Sequence, residues 1–258
     1  PHAPDAPYKL RAKKPDEEGR GTTYRVNPYT AEIIGDTKSS SSDFFMTVFR
    51  LHRWLLMDRS IGRVIVGIAT IIFVFIIITG MVLWWPKKLK HLKQSLTVKT
   101  SANWKRINHD LHNSLGFYAS ILLMVMALSG LCWSFEWYRD GLGAVMGTKV
   151  FGSRGSSEEL VSTVSEDAMP VSVGKVLRTG EQVLPYDGDY TLYLPQEADD
   201  IITVRKYRPA SFFGITSYDM LLLDQYNGEV LFTDIYAERP LNERISTMIK
   251  PLHTGEIF

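Results

Sequence analysis

The residues of this chain best suited to chemistry are its histidines: His2, His52, His91, His109, His112 and His253. Imidazole titrates near neutral pH and readily ligates transition metals, so its surroundings decide what it does. His2 and His91 lie among polar residues and read as surface positions. His112 begins an apolar stretch and is followed by Asn113 and the small Gly116. An ionisable residue at the edge of a membrane span is a functional candidate by default. The plainer alternative is an interfacial histidine that only hydrogen-bonds. His109, one helical turn earlier, is the second choice: it replaces His112, or the two hold a metal at i, i+3 spacing. His52 sits in FFMTVFRLHRWLLM, between Arg50 and Arg53. Guanidinium pairs bidentately with carboxylates, which makes these arginines candidate anion partners. Snorkelling interfacial arginines would give the same pattern. His253 is followed by Thr254 and Gly255, and small residues beside a ligand let a flat group approach the backbone.

Other chemistries find no residues to carry them. There is no glycine-rich phosphate loop, no HExxH and no CxxC. The single cysteine, Cys132, lies in an apolar block and reads as a small buried hydrophobe, so no disulfide framework exists. A net charge of +1 without a basic stripe interleaved with aromatics argues against a nucleic-acid partner.

Two apolar runs must position these side chains. Val64–Trp85 is 22 residues without a charge and Leu115–Phe135 is 21 more. At 1.5 Å per residue each spans about 30 Å, the thickness of a bilayer's hydrocarbon core. Trp84 and Trp85 close the first run, and Trp133 and Trp137 the second, where interfacial aromatic belts fall. The connection 86–110 carries seven Lys/Arg against one Asp, whereas 136–250 carries 18 acidic and 11 basic residues. The positive-inside rule therefore puts the short connection in the cytoplasm and the acidic segment outside. Arg50, Arg53, Arg59 and Arg63, on the outer side, run against that rule. His52 and His253 then share the outer side, and His112 lies at the inner end.

The segments read as follows: 1–43, part of a first outer region; 44–63, an interfacial helix carrying His52; 64–86, a span; 87–110, the basic loop; 111–137, a second span; 138–250, a second outer domain; 251–258, the start of a further membrane helix. In the second outer domain Ser153–Ser157 reads as a linker and Val173–Leu184 as a helix. Short runs at Asp189–Leu194, Ile201–Tyr207, Thr216–Leu223 and Glu229–Thr233 read as strands separated by turns at Pro195, Pro209 and Asn227-Gly228. Asn-Gly predicts a two-residue hairpin turn with positive φ at both positions. The fold class is thus membrane α-helical with small α+β outer domains, a helix packed on an antiparallel sheet. The small pairs Thr79-Gly80 and Ser129-Gly130 within the spans read as close helix packing. With no initiator Met or signal peptide, the chain reads as a fragment.

An internal repeat adds specificity. YRVNPYTAEIIGD (24–36) and LLLDQYNGEVLFTD (221–234) both set Asn27 or Asp224 in a turn, then Glu32 or Glu229, two apolar residues and an acid; each is followed by a histidine, His52 or His253. With RLHRWLL, GRVIVGI, TGMVLWWP, DLHNSLGFYASILLMVMALSG and PLHTGE, these segments resemble the PepSY-associated transmembrane helix family of bacterial inner-membrane proteins with periplasmic PepSY domains. The resemblance covers most of the chain beyond residues 1–20 and the linker. The family includes reductases of iron–siderophore complexes that carry haem b, and a four-helix member would have further spans before Pro1 and after Phe258; histidines at both faces then suggest two haem b groups. His52 and His253 would ligate an outer haem iron, with Arg50 and Arg53 near its propionates. His112 would ligate an inner one with a partner from outside this chain. The implied activity is reduction of a ferric chelate by electrons from a quinol or a cytoplasmic reductase. The alternative is a non-enzymatic PepSY module, a peptidase regulator or assembly subunit.

The charge asymmetry makes a direct prediction. A cysteine introduced at Lys93 will resist an impermeant thiol reagent in intact spheroplasts, and one at Ser156 will react. The reverse labelling would overturn the orientation.

Overall fold

The computed structural model describes residues 6–12, 21–152, 160–164, 169–208 and 217–256. His2, the Ser153–Ser157 linker and the Pro209 turn lie outside them. Three strands, β1 (Tyr8–Ala12), β2 (Thr22–Val26) and β3 (Ile33–Asp36), form an antiparallel sheet in chain order. Two helices follow, α1 (Ser40–Trp54) and α2 (Arg59–Trp84). A short turn region containing α3 (Leu92–Ser95) leads to α4 (Trp104–Ser134), and α5 (Glu136–Met146) comes next. The helix α6 (Val173–Val183) precedes an antiparallel sheet of β4 (Tyr190–Tyr193), β5 (Ile201–Tyr207), β6 (Tyr218–Asp224) and β7 (Val230–Asp234). The described chain closes with α7 (Leu241–Thr254).

Helices α2 and α4 are long and apolar enough to cross a membrane. They leave large apolar side chains uncovered: Phe75 is 67% exposed, Val82 71% and Leu83 86%. A helix apolar on all sides needs an apolar solvent. Both helices begin before the apolar runs because polar caps start them. The Asp58 carboxylate accepts from the Ser60 N–H at 2.8 Å, and the Asn103 side chain accepts from the Arg106 N–H at 3.0 Å. The expected loop 87–110 is therefore helical from Trp104 onward. At the other end α2 stops at Trp84, since Pro86 pushes the preceding residue out of the helical region.

The two helices pack on each other, with Trp84 stacked on Phe117 at 4.1 Å between ring centres. A methyl group at Gly67 would lie 2.6 Å from the Phe135 ring, so only glycine permits that approach. Leu55 and Leu56, at φ 56° and 58°, turn the chain sharply after α1. A Cβ at Gly62 would meet the Trp54 carbonyl, so the corner is tight enough to lay α1 against α2.

The second sheet has the expected helix-on-sheet core. Val176 of α6 packs with Leu184, Ile202, Val204, Leu221 and Leu223. Along β5 buried and half-buried residues alternate, the period-two pattern of a strand with one covered face. The hairpin at Asn227-Gly228 is present, but its turn is not the expected one. Four residues, 225–228, bridge the pair Asp224 N–H to Glu229 C=O (2.9 Å), and only Gly228 takes positive φ, at 73°. The Asp224 carboxylate accounts for the longer loop. It accepts from the Tyr226 and Asn227 N–H groups at 2.8 and 3.1 Å and winds the chain into a turn before the glycine.

The same loop recurs in the first sheet. Asn27 N–H donates to Glu32 C=O at 2.9 Å, the Asn27 side chain accepts from Tyr29 and Thr30 N–H, and Ala31 takes φ 58° where the second copy has glycine. The likeness of the two segments therefore extends to the hydrogen bonding of their turns. The closing acids are not equivalent, however: Asp36 pairs with Tyr24, whereas Asp234 pairs with Met220, one position further along. Two helices were not foreseen. All but the first two residues of α5, and the body of α7, lie in the second outer domain, where Val173–Leu184 is the one helix expected; residues 251–254, read as the start of a membrane helix, form the last turn of α7.

Asp224 is fully buried and takes a third hydrogen bond, from the Thr163 N–H at 2.7 Å. Burial acts to raise its pKa, but the three backbone donors outweigh burial and hold it below the ordinary carboxylate value. A depressed pKa stabilises the fold above pH ~4 and loses that stabilisation as pH falls through the folded-state value. Asp224→Asn, which turns an N–H₂ toward an N–H donor, will destabilise the full-length protein by about 1–3 kcal/mol at neutral pH. Its stability will also fall less between pH 5 and 3 than that of the wild type, by thermal melts in detergent (pH range from the ordinary carboxylate pKa of about 4).

Candidate functional site

The repeat delivers a histidine to the end of a helix twice. His52 lies in the last turn of α1, which closes at Leu55 in the left-handed conformation, its N–H donating to Leu51 C=O. His253 lies in the last turn of α7, which closes at left-handed Gly255, its N–H donating to Pro251 C=O. α1 packs on α2, α7 packs on α4, and α2 packs on α4. The two imidazoles thereby face each other with ring centres 6.1 Å apart and planes inclined at 32°.

His253 is half-buried and firmly seated on α4. Its Nδ1 lies 2.9 Å from the Met126 carbonyl and 3.1 Å from Ser129 Oγ. A carbonyl only accepts, so Nδ1 carries the proton and Nε2 of the neutral ring is left unprotonated. The ring lies over residue 130, where a Cβ would stand 3.0 Å from Cε1; glycine removes the obstacle. Trp133 covers another side at 5.1 Å between ring centres, and Phe151 lies 4.4 Å beyond Trp133. Met126, Ser129, Gly130 and Trp133 were not among the expected site residues. Their only sequence signal was the Ser129-Gly130 pair, and what packs closely against it is the His253 ring.

His52 is exposed on α1. Arg53 lies over the rings of Phe49 and Trp54, 5.3 Å from each, and Arg50 is exposed. His109 and His112 are elsewhere. His112 is exposed on α4 and shares no hydrogen bond with the described residues, and His109 contacts Asp110 and Asn113. Seventeen residues of α4 separate His112 from Ser129, roughly 26 Å along the axis. The structure thus brings His52 and His253 together and leaves His109 and His112 at the other end of α4. His91 closes the short 3-10 turn Leu89–His91 on the connection between α2 and α4 and is exposed.

Among the described residues no three or more His, Cys, Asp or Glu side chains converge to cage a metal. Two imidazoles leave the other coordination positions of a metal to water or to a chelating ligand. They suit a metal that brings its own equatorial donors, as the iron of haem does.

The family described as the PepSY-associated TM region matches residues 1–258 of the chain. No curated protein matches it.

The glycine seat predicts an asymmetry between two glycines of α4. Gly130→Val must displace His253 and will destabilise the protein by about 1–3 kcal/mol. Gly116→Val, at a position with open space around it, will change stability by less than about 0.5 kcal/mol. Thermal melts of the two variants in one detergent compare them; equal losses would refute the seat.

Proposed function

Because the chain belongs to the family of PepSY-associated TM regions, we propose that it is a membrane electron-transfer protein in which His52 and His253 hold a haem b and ferric iron in a chelate is reduced. The observation that carries this reading is the pair of neighbouring imidazoles, supplied by two different helices, with no third His, Cys, Asp or Glu grouped with them among the described residues. Haem, when bound, supplies a one-electron carrier. The protein's own residues do the rest. Met126 C=O and Ser129 fix the His253 tautomer and raise the basicity of Nε2. Gly130 leaves the ring room on α4. Neutral imidazoles add no charge at the membrane edge. Arg50 and Arg53, on the same helix as His52, are the proposed partners of the propionates. His112, with His109 as second choice, is proposed to ligate a second haem at the other end of α4, with an opposing ligand from outside the described residues.

In this reading the protein is a multi-pass component of the bacterial inner membrane, with the basic connection 86–110 in the cytoplasm and the β6–β7 domain in the periplasm. One electron, from a quinol or a cytoplasmic reductase, converts Fe(III) to Fe(II) in the chelate. Hard-oxygen chelators hold Fe(II) far more weakly, so the iron is released.

Pyridine haemochrome assays of the full-length protein test the proposal. His52→Ala and His253→Ala will each remove the same half of the haem, the double variant no more than either, and His112→Ala the other half. Wild-type protein without haem would sink the redox reading and leave a non-enzymatic PepSY module. Loss of different haems from the two single variants would sink the pairing alone.

A further inference from the structure

At the His112 end of the molecule, the connection between α2 and α4 folds back onto the start of α4 and closes a cleft of 520 Å³. Two buried side chains build it. Asp110, 5% exposed, pairs with Arg106 at 2.8 Å and accepts from the Lys99 N–H at 3.3 Å. Ser114, 6% exposed, donates to the Leu96 carbonyl at 2.9 Å. These bonds pin residues 96–99 to α4 and hold Lys90, Lys93 and Lys99 on the walls of one cleft. Asp110 is the only acid between residues 86 and 110, and Arg106 already neutralises it. The three lysines thus line the cleft in addition to that ion pair, and it is open to an anion.

Its depth says which anion. Trp84 stacks on Phe117, so the end of α2 lies level with Phe117 of α4. Asp110 is seven residues further out, roughly 10 Å along the helix. The headgroup layer on one side of a bilayer is about 5–8 Å deep. Trp85, 59% exposed, closes α2 at the same level, as a residue of an aromatic belt does. A flexible lysine stem reaches from the cleft to the phosphate plane, and an ammonium binds phosphate as a point charge. We infer that this cleft is a binding site for the phosphate of an anionic phospholipid headgroup. The inference does not depend on haem.

Native mass spectrometry of the full-length protein in a neutral detergent provides the test, because no charged bilayer surface then contributes. The wild type will retain phosphatidylglycerol in preference to phosphatidylcholine. Lys93→Ala combined with Lys99→Ala will weaken that binding roughly thirtyfold, at about fivefold per lysine. Lys87→Ala with Lys88→Ala removes the same charge outside the cleft and will leave it nearly unchanged. Unaltered lipid-free melting midpoints will show that both variants fold. Equal losses in the two double variants would reduce the effect to diffuse charge attraction and overturn the site. Displacement of the lipid by millimolar inorganic phosphate would assign the cleft to a soluble anion instead. Absence of any preference for phosphatidylglycerol would refute the inference outright.

Discussion

The placement of the imidazole of His253 on α4 organises the end of the molecule around Ser134. A polar ring set against an apolar helix must satisfy its N–H, and α4 offers few acceptors. It does so with the Met126 carbonyl and Ser129, whose hydroxyl lies 2.7 Å from Val125 C=O. Glycine at 130 then removes the one side chain that would lift the ring away. With His253 seated there, the last turn of α7 is held to α4, and α5 is drawn into the same cluster through Cys132, Val150 and Ile249, with Tyr138 and Leu142 packed against it. The sheet that leads into α7 is thereby fixed relative to the membrane helices.

The repeat explains why a second histidine arrives opposite the first. Each copy is a hairpin with a four-residue loop, followed by a helix whose last turn carries the histidine and whose end is capped by a left-handed residue. The copies differ in what supports them. The second sheet is covered by α6 and buries the residues of its core. In the first, Tyr8, Leu10, Ile33 and Ile34 are half or more exposed. The loops differ in the same sense. Ala31 adopts a conformation costing about 1 kcal/mol for a residue with a Cβ, whereas Gly228 adopts it freely. Asp224 has the additional anchor on Thr163 that Asn27 lacks among the described residues.

The two ends of α4 do different work, and the helix has local means for each. Toward Ser134 the determinants are small residues and carbonyls that admit an aromatic ring. Toward Trp104 they are a buried carboxylate and a hydroxyl that tie down a cationic connection. Between them the side chains are apolar, as a membrane interior demands.

The sequence alone determined the elements whose signal is local. The two uncharged runs dictate membrane helices because a bilayer cannot hydrate a backbone. Alternation over Ile201–Tyr207 dictates a strand, and Asn227-Gly228 a hairpin. The opposite charges of the connection and the outer segment divided the histidines into two groups before any coordinates. Other features are decided by partners distant in the chain. The extent of each membrane helix came from Asp58 and Asn103, caps outside the apolar runs. The turn at residues 225–228 was lengthened by a carboxylate that also reaches Thr163, 61 residues away. α7 starts after Pro240 without a side-chain cap and contains Pro251, so it is recognised as a helix only where α4 and α5 cover it. Above all, Ser129-Gly130 looked like a generic packing motif, and nothing local to it names its partner. That the partner is His253, 124 residues on from Ser129, is a fact of tertiary structure, because a missing side chain has meaning only when something else fills the space.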